Sequence, residues 1–182
     1  MNPEEKLIKA SFKLVEALDK TADKNLPQAI ADVVKLHSKL AVGSAWIPVP
    51  GADVAAGAAT IWGMYVRINN KLGIPFGENA MKSIGSGVAT NMVSYLAMSG
   101  VASVLKFIPG IGTIGGGIIM SAGLYAVTMA SGWVYLQALT KLAETKGSNF
   151  SATDIGQMIN TVMKEKTAIK DFVNAAKNSY KK

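Results

Sequence analysis

The chain has 182 residues, of which 49% are apolar and 17% charged, and its formal net charge is +7. This length predicts one domain over residues 1–182 with a sizeable core. The absence of cysteine excludes disulfides and thiol catalysis, and a single histidine leaves little for a transition-metal site, so we expect no metal and no cofactor.

The charges are concentrated at the two ends of the chain. Residues 1–40 hold seven lysines and six acids, and residues 141–182 hold eight lysines and four acids, whereas the hundred residues between them hold only six charges. We therefore distinguish amphipathic N-terminal helices over 1–41, a hydrophobic part over 42–140, and basic amphipathic helices over 141–182. A mean hydropathy of +0.26 makes membrane contact the first hypothesis.

The N-terminal region predicts two amphipathic helices. Pro3 is placed at the first position of one helix and Pro27 near the start of the other. Helical spacing predicts that each helix buries one apolar stripe. The first stripe contains Leu7, Ile8, Ser11, Phe12, Leu14, Val15 and Leu18, and the second contains Ile30, Val33, Val34, His37, Leu40 and Ala41. His37 is interpreted as a satisfied core histidine and is given no role.

The central part predicts a short helix over 53–68 followed by a helical hairpin. Two uncharged runs, 83–105 and 107–140, are each long enough to cross a bilayer, which takes about 20 helical residues. The lysine-bearing flanks lie on the same side of two such spans, so the positive-inside rule predicts that both termini are cytoplasmic. A hairpin buried inside a soluble bundle is the alternative, because it would also be apolar all round.

The C-terminal region predicts a further amphipathic helix. Ser151 and Asp154 resemble a capping box, and helical spacing continues through apolar residues to Phe172, with a bend near Thr167. No segment shows the alternation of a strand. We therefore predict an all-α helical bundle with a Gly-rich apolar hairpin, which we expect to be membrane-embedded, flanked by amphipathic helices.

Two similar Pro-Gly corners precede the apolar helices. IPVPGADVAAG begins at Ile47 and KFIPGIGTIGG begins at Lys106. The second corner contains a G-x-G-x-x-G pattern, but neither a strand before it nor an acid about 20 residues after it supports a dinucleotide site. Small residues that let helices approach closely account for the same glycines. The predicted packing positions are Pro48, Pro50, Gly51, Asp53, Gly57, Pro109, Gly110, Gly112, Gly116, Gly117 and Gly123.

IPVPGAD, FIPGIGTIGGG and GLYAVTMASGWVYLQAL together resemble the YcjF-like bacterial domains of unknown function, relatives of which are appended to some Era-type GTPases. EcsC-type proteins are similar in the first corner only. The likeness covers residues 26–164 and implies an inner-membrane helical hairpin without established catalytic residues. It also suggests a separately encoded GTPase as a partner, because this chain contains no P-loop.

The resulting hypothesis is a non-enzymatic membrane protein that self-assembles as a scaffold or remodelling component. Its expected partners are anionic lipid headgroups and further copies of the chain, with no nucleic acid. The alternative is a pore-forming toxin or effector, cytoplasmic or secreted, that stays soluble until its hairpin inserts. A wholly soluble binding module is a third interpretation. No nucleophile, base and orienting group can be assembled from the sequence, so we do not expect an enzyme.

Overall fold

The computed structural model describes residues 3–44, 52–76, 78–99 and 116–165, together with 167, 170–172, 174–175 and 178. Within these residues the protein is entirely helical, which confirms the all-α prediction. The six helices, in chain order, are α1 (Pro3–Asn25), α2 (Gln28–Ser44), α3 (Ala52–Leu72), α4 (Glu78–Ser99), α5 (Gly116–Lys146) and α6 (Ala152–Glu165).

The helices α1 and α2 form as the apolar spacing predicts, with two exceptions. Their core positions, among them Leu14, Leu18 and Val34, are almost fully buried. Phe12 is 72% exposed and Leu40 is 56% exposed, so the prediction that these two residues face the core was wrong. Each lies at the edge of an apolar stripe that is wider than the contact its helix makes.

The helix α3 ends in a glycine motif and leads into α4. Gly73 adopts a φ of 69°, and the N–H of Ile74 donates to the carbonyl of Asn69 at 2.9 Å. This Schellman arrangement stops the helix, because the left-handed conformation costs glycine little. α4 then packs closely along α3. A Cβ added at Gly85 would lie 2.6 Å from Cβ and 2.8 Å from Cα of Trp62, so only glycine fits at this crossing.

The helix α5 is the centre of the bundle and packs against each of the other five helices. Its apolar residues occupy most sides of the helix because neighbours cover most of it, although Gln137 and Thr140 are exposed and Gly123 faces open space. Between Ala122 and Leu142, 14 of the 21 positions are buried, including Ala126, Ala130 and Val134. Burial by neighbouring helices is therefore sufficient to account for the composition of the run 107–140 as far as the structure describes it.

Across the described residues, no helix has the combination of length and hydropathy that a membrane span requires. The spans expected over 83–105 and 107–140 are thus not found as far as α4 and α5 are described. The intervening residues 100–115, which hold the predicted turn of the hairpin, lie outside the described part of the chain.

Two contacts fix α5 against α2 and α3. A Cβ on Gly132 would lie 2.7 Å from Cγ2 of Val34 and 3.2 Å from the sulfur of Met64, so both helices approach α5 at this glycine. Nearby, the rings of Tyr65 and Tyr135 stack with centroids 3.9 Å apart and planes inclined by 10°. Stacked aromatic pairs of this kind add about 0.5–1.5 kcal/mol beyond the area they bury.

The hydroxyls of the stacked tyrosines are also satisfied inside the core. Tyr135 donates to Oδ1 of Asn69 at 2.6 Å, and Tyr65 donates to the carbonyl of Ser131 at 3.2 Å. Burial raises the pKa of both hydroxyls, which therefore stay protonated and act as donors. This buried polar cluster gives α3 and α5 one preferred register, because a shift would leave these groups without partners.

The helix α6 begins at the predicted capping box. The backbone N–H of Ser151 donates to the Asp154 carboxylate at 2.7 Å, and the N–H of Asp154 donates to Oγ of Ser151 at 3.2 Å. Lys146 also pairs with Asp154, and these hydrogen bonds hold the pKa of that carboxyl well below its usual range. The predicted bend near Thr167 lies beyond α6, where most neighbouring residues are not described.

Gly85 and Gly87 provide a matched test of the α3–α4 contact. Replacing a helical glycine with alanine normally stabilises by up to about 1 kcal/mol, and a Cβ at Gly87 would meet nothing within 4 Å. We expect Gly87→Ala to raise the urea midpoint, and Gly85→Ala to lower the free energy of unfolding by about 1–3 kcal/mol because its methyl would collide with the Trp62 backbone. Equal midpoints for the two variants would contradict the close packing.

Candidate functional site

The predicted packing positions fall into two groups. Pro48, Pro50, Gly51, Pro109, Gly110 and Gly112 lie outside the described residues. The others lie near the starts of two helices. Asp53 and Gly57 lie in α3, while Gly116, Gly117 and Gly123 lie in α5. Asp53 is the second residue of α3.

The structure brings Gly57 close to α5 but leaves Gly123 in open space. A Cβ on Gly57 would lie 3.9 Å from Cδ2 of Leu124, which is an ordinary contact. A Cβ on Gly123 would meet nothing within 4 Å. Among the glycines that the structure describes, those at the tightest helix crossings are Gly85 and Gly132, which the sequence pattern did not single out. The only sequence signal for them is their position inside an apolar helical run.

One end of the bundle gathers the starts of α1, α3 and α5 and the ends of α2 and α4. The connections at the opposite end are short, spanning residues 26–27, 73–77 and 147–151, and so reverse the chain direction. The contact between Gly57 and Leu124 confirms that α3 and α5 begin near each other. We call this the Pro-Gly end, because both Pro-Gly corners connect helix termini located there.

An apolar groove opens at the Pro-Gly end between α1, α2 and α5. Its volume is about 230 Å³. It is lined by Ile8, Ser11, Phe12, Val15, Val42, Ser121 and Ala122. We refer to these seven residues as the α1–α2–α5 groove. The lining is almost wholly apolar, as in sites that accept hydrophobic ligands.

Two serine hydroxyls of the groove have no hydrogen-bond partner although they are buried. These are Oγ of Ser11 and Oγ of Ser121. A buried hydroxyl without a partner costs about 1–3 kcal/mol, so such groups call for an explanation. They give an otherwise apolar groove two hydrogen-bonding positions.

The outer surface of α1 and α2 exposes large apolar side chains among lysines. Phe12 is 72%, Leu40 56% and Leu36 42% exposed. Lys9, Lys13 and Lys39 are exposed on the same two helices. We call the three apolar side chains the α1–α2 apolar surface. Apolar side chains interspersed with lysines are typical of helices that lie at a membrane interface.

Aspartate side chains link α1 to α2 and α5 through a hydrogen bond and ion pairs. The Tyr125 hydroxyl donates to the Asp19 carboxylate, and Lys35 pairs with Asp23 and lies 3.6 Å from Asp32. Burial, reinforced by Asp19, raises the pKa of Tyr125, which therefore remains a donor. These contacts attach the helices that form the groove to the central helix.

His37 is buried in α2, as its place on an apolar helical face predicted. Its Nδ1 lies 2.9 Å from the carbonyl of Val33; a carbonyl can only accept, so Nδ1 carries the proton. Nε2 faces α3, where it would lie 3.7 Å from a Cβ on Gly63. Burial and the nearby charge of Arg67 lower the pKa of His37. It is a neutral core residue.

The described side chains do not form a cluster that could hold a metal ion. Among the residues placed by the structure, no three histidine or acidic side chains converge on one point.

A second concavity of about 470 Å³ lies at the opposite end of the bundle, between the segment 72–76 and α5. Phe76 and Phe150 meet there with ring centroids 6.0 Å apart. Its lining includes Leu72 and Thr140, which are suitable control positions because they are remote from the groove.

Comparison with known proteins gives one informative similarity. The chain is 32% identical over 107 residues to Magnetosome membrane protein 22 of Magnetospirillum gryphiswaldense. The match covers 58% of this chain and 55% of that protein, so the chain spans about half the length of the curated relative it matches. No protein-family model matches the sequence. No solved structure matches it significantly either.

His37 predicts a pH dependence of stability. Its pKa is lower in the folded protein than the value of about 6.5 for an exposed histidine, so the folded state binds fewer protons. Stability is therefore complete above about pH 6.5 and falls as the pH drops below it. We expect the free energy of unfolding in urea to fall between pH 7.5 and pH 5.0, and to fall less in His37→Gln than in the wild type. Identical losses in both proteins would show that His37 does not cause the dependence.

Proposed function

We propose that this protein is a non-enzymatic helical scaffold that docks on the cytoplasmic face of a bacterial inner membrane. The observation that carries the proposal is the α1–α2 apolar surface, with Phe12 72% exposed beside lysine-bearing turns. Isolated exposed apolar residues are ordinary in proteins. Here three occur on one helix pair, and Phe12 also borders an apolar groove.

Docking in this mode would combine two contributions. The exposed phenyl and leucyl groups would enter the boundary between headgroups and acyl chains, each removing apolar area from water. Lysines on the same helices would attract anionic headgroups, with about 1 kcal/mol for each lysine near the surface. The enclosed helix α5 would keep its contacts within the bundle, because docking uses only the outer faces of α1 and α2.

The similarity to a protein named as a magnetosome membrane protein supports the membrane part of this proposal. It does not bear on the scaffold role, which rests on self-association. The resemblance to YcjF-like domains stays a prediction, and with it the separately encoded GTPase partner. A pull-down with the purified chain, repeated with GTP and GDP, would test that partner directly.

The second candidate function is a pore-forming protein whose hairpin inserts after binding. The enclosure of the apolar helix α5 by amphipathic neighbours favours it, because such a sheath would protect an insertable helix. The two candidates differ in the effect that the bound protein has on vesicles. Release of trapped dye would support insertion, whereas binding without release would support docking through the outer surface.

The α1–α2 apolar surface can be tested by vesicle co-sedimentation. We expect the double variant Phe12→Gln, Leu40→Gln to lose at least about tenfold in affinity for vesicles containing phosphatidylglycerol, because two apolar side chains no longer enter the bilayer. Leu72→Gln is the matched control. Leu72 is 47% exposed, but it lies at the opposite end of the bundle, so its replacement should leave binding unchanged. An equal loss of vesicle affinity in the double variant and in Leu72→Gln, or no loss in either, would contradict the docking proposal.

Self-association can be tested at Gly123, where open space would admit a second helix. We expect Gly123→Leu to reduce chemically crosslinked oligomers of vesicle-bound protein at least severalfold, because its side chain would block close approach. Gly87→Leu is the control, since Gly87 is also helical and open. Oligomers that persist in Gly123→Leu would remove this face from the scaffold model.

A further inference from the structure

The α1–α2–α5 groove has features that membrane docking alone does not use. We infer that it binds one acyl chain of an anionic glycerophospholipid, with the ester at the two buried serine hydroxyls. The inference rests on the proposed function for the source of the lipid, which is the bilayer on which α1 and α2 dock. It adds a specific binding site to a non-specific surface contact.

The first support is the shape and lining of the groove. Ile8, Val15, Val42 and Ala122 provide apolar walls, and Phe12 forms part of the rim. The groove is open to the surface, and its volume of about 230 Å³ can accommodate part of a hydrocarbon chain. A chain entering beside Phe12 would replace water against these walls, which is the favourable contribution.

The second support is the contrast between the two groove serines and other hydroxyls of the bundle. Hydroxyls in helices commonly donate to the carbonyl four residues earlier. Thr21 does so at 2.8 Å, Ser38 at 2.8 Å and Ser131 at 2.7 Å. The hydroxyls of Ser11 and Ser121 are buried in the groove wall without any partner.

These unpartnered donors identify a feature of the ligand. A pure hydrocarbon would leave both hydroxyls unsatisfied, whereas the carbonyl oxygen of an acyl ester can accept a hydrogen bond from a serine. Ser11 is 8% exposed and its hydroxyl oxygen is itself covered, so a rotation about the Cα–Cβ bond would be needed to turn the donor toward a chain in the groove. The site therefore suits a chain that carries an acceptor near one end.

The third support is the charge around the rim. Lys9 and Lys13 occupy the turns of α1 that carry Ile8 and Phe12, and Lys39 lies on α2 shortly before the groove. These three cations favour a negatively charged headgroup at the rim.

Acidic side chains also lie on α1 and offset part of this charge. Glu5 lies on the first turns of α1. Glu16 is ion-paired with Lys20 at 2.8 Å, so a further lysine already offsets its charge. The exposed Lys9 and Lys39 beside the groove are therefore the reason to prefer an anionic phospholipid to a neutral one.

The test uses dihexanoyl phosphatidylglycerol below its micelle concentration and isothermal titration calorimetry on the full chain. We expect saturable binding by the wild type. Ser121→Leu should weaken it at least about tenfold, because the leucyl group fills the groove and removes a donor. Thr140→Leu is the matched control, since it makes the same kind of change on α5 in the second concavity. It should bind as the wild type does.

A second variant tests whether weaker binding by Ser121→Leu is caused by misfolding. Ser121→Ala leaves the groove open and removes only the hydroxyl, so we expect about two- to tenfold weaker binding and an unchanged urea midpoint. Unchanged affinity in both Ser121 variants, or equal affinity for glycerol phosphate without acyl chains, would overturn the inference. Tighter binding of decanoate than of the phospholipid would also overturn it in favour of a free fatty acid.

The outcome separates this inference from the proposed function. If Ser121→Leu fails to alter phospholipid binding while Phe12→Gln, Leu40→Gln abolishes vesicle binding, the docking surface stands and the groove site is refuted. If vesicle binding does not depend on Phe12 and Leu40 but soluble phospholipid still requires Ser121, the groove site stands and the docking surface is refuted.

Discussion

The close approach of α2 and α3 to α5 at Gly132 is the contact on which the arrangement of the bundle depends. Val34 and Met64 occupy the space that a side chain at this position would need. The stacked pair Tyr65 and Tyr135 lies beside this crossing, and their hydroxyls reach Ser131 and Asn69. Close packing and a satisfied polar cluster thus act together, and they determine the depth and register of α5.

This central position of α5 explains why the chain has a membrane-like composition. A helix surrounded by neighbours must be apolar on all sides, and the same composition is required of a helix surrounded by lipid. Because α5 packs against the other five helices, its apolar side chains are buried within the bundle. Among the described residues, three of the four exposed large apolar side chains lie on α1 and α2, namely Phe12, Leu36 and Leu40.

Local patterns in the sequence predicted local structure well. The capping box of Ser151 and Asp154, the helix that starts near Pro27 and the buried stripe of α6 all agree with the structure. These features depend on residues within a few positions of one another. The buried His37 was also predicted correctly, since an apolar helical face specifies its surroundings.

Contacts between distant segments could not be predicted in this way. Periodicity placed Phe12 and Leu40 on buried stripes, but it does not specify how far a neighbouring helix covers each stripe. The sequence likewise did not distinguish Gly123, which is open, from Gly132, which is enclosed by α2 and α3. The groove serines Ser11 and Ser121 are far apart in the chain, so only the folded arrangement brings them to one site.

The central claim is that α5 stays enclosed while the protein is bound to a membrane. Trp133, which is buried in α5 against Phe172, is a natural reporter. Replacing the other two tryptophans, Trp46 and Trp62, with phenylalanine would make Trp133 the single source of tryptophan fluorescence. This fluorescence can be measured on vesicles whose brominated acyl chains quench tryptophans that enter the bilayer. The account predicts no quenching of Trp133 at saturating vesicle concentration. Strong quenching would show that α5 has entered the bilayer and would contradict the account.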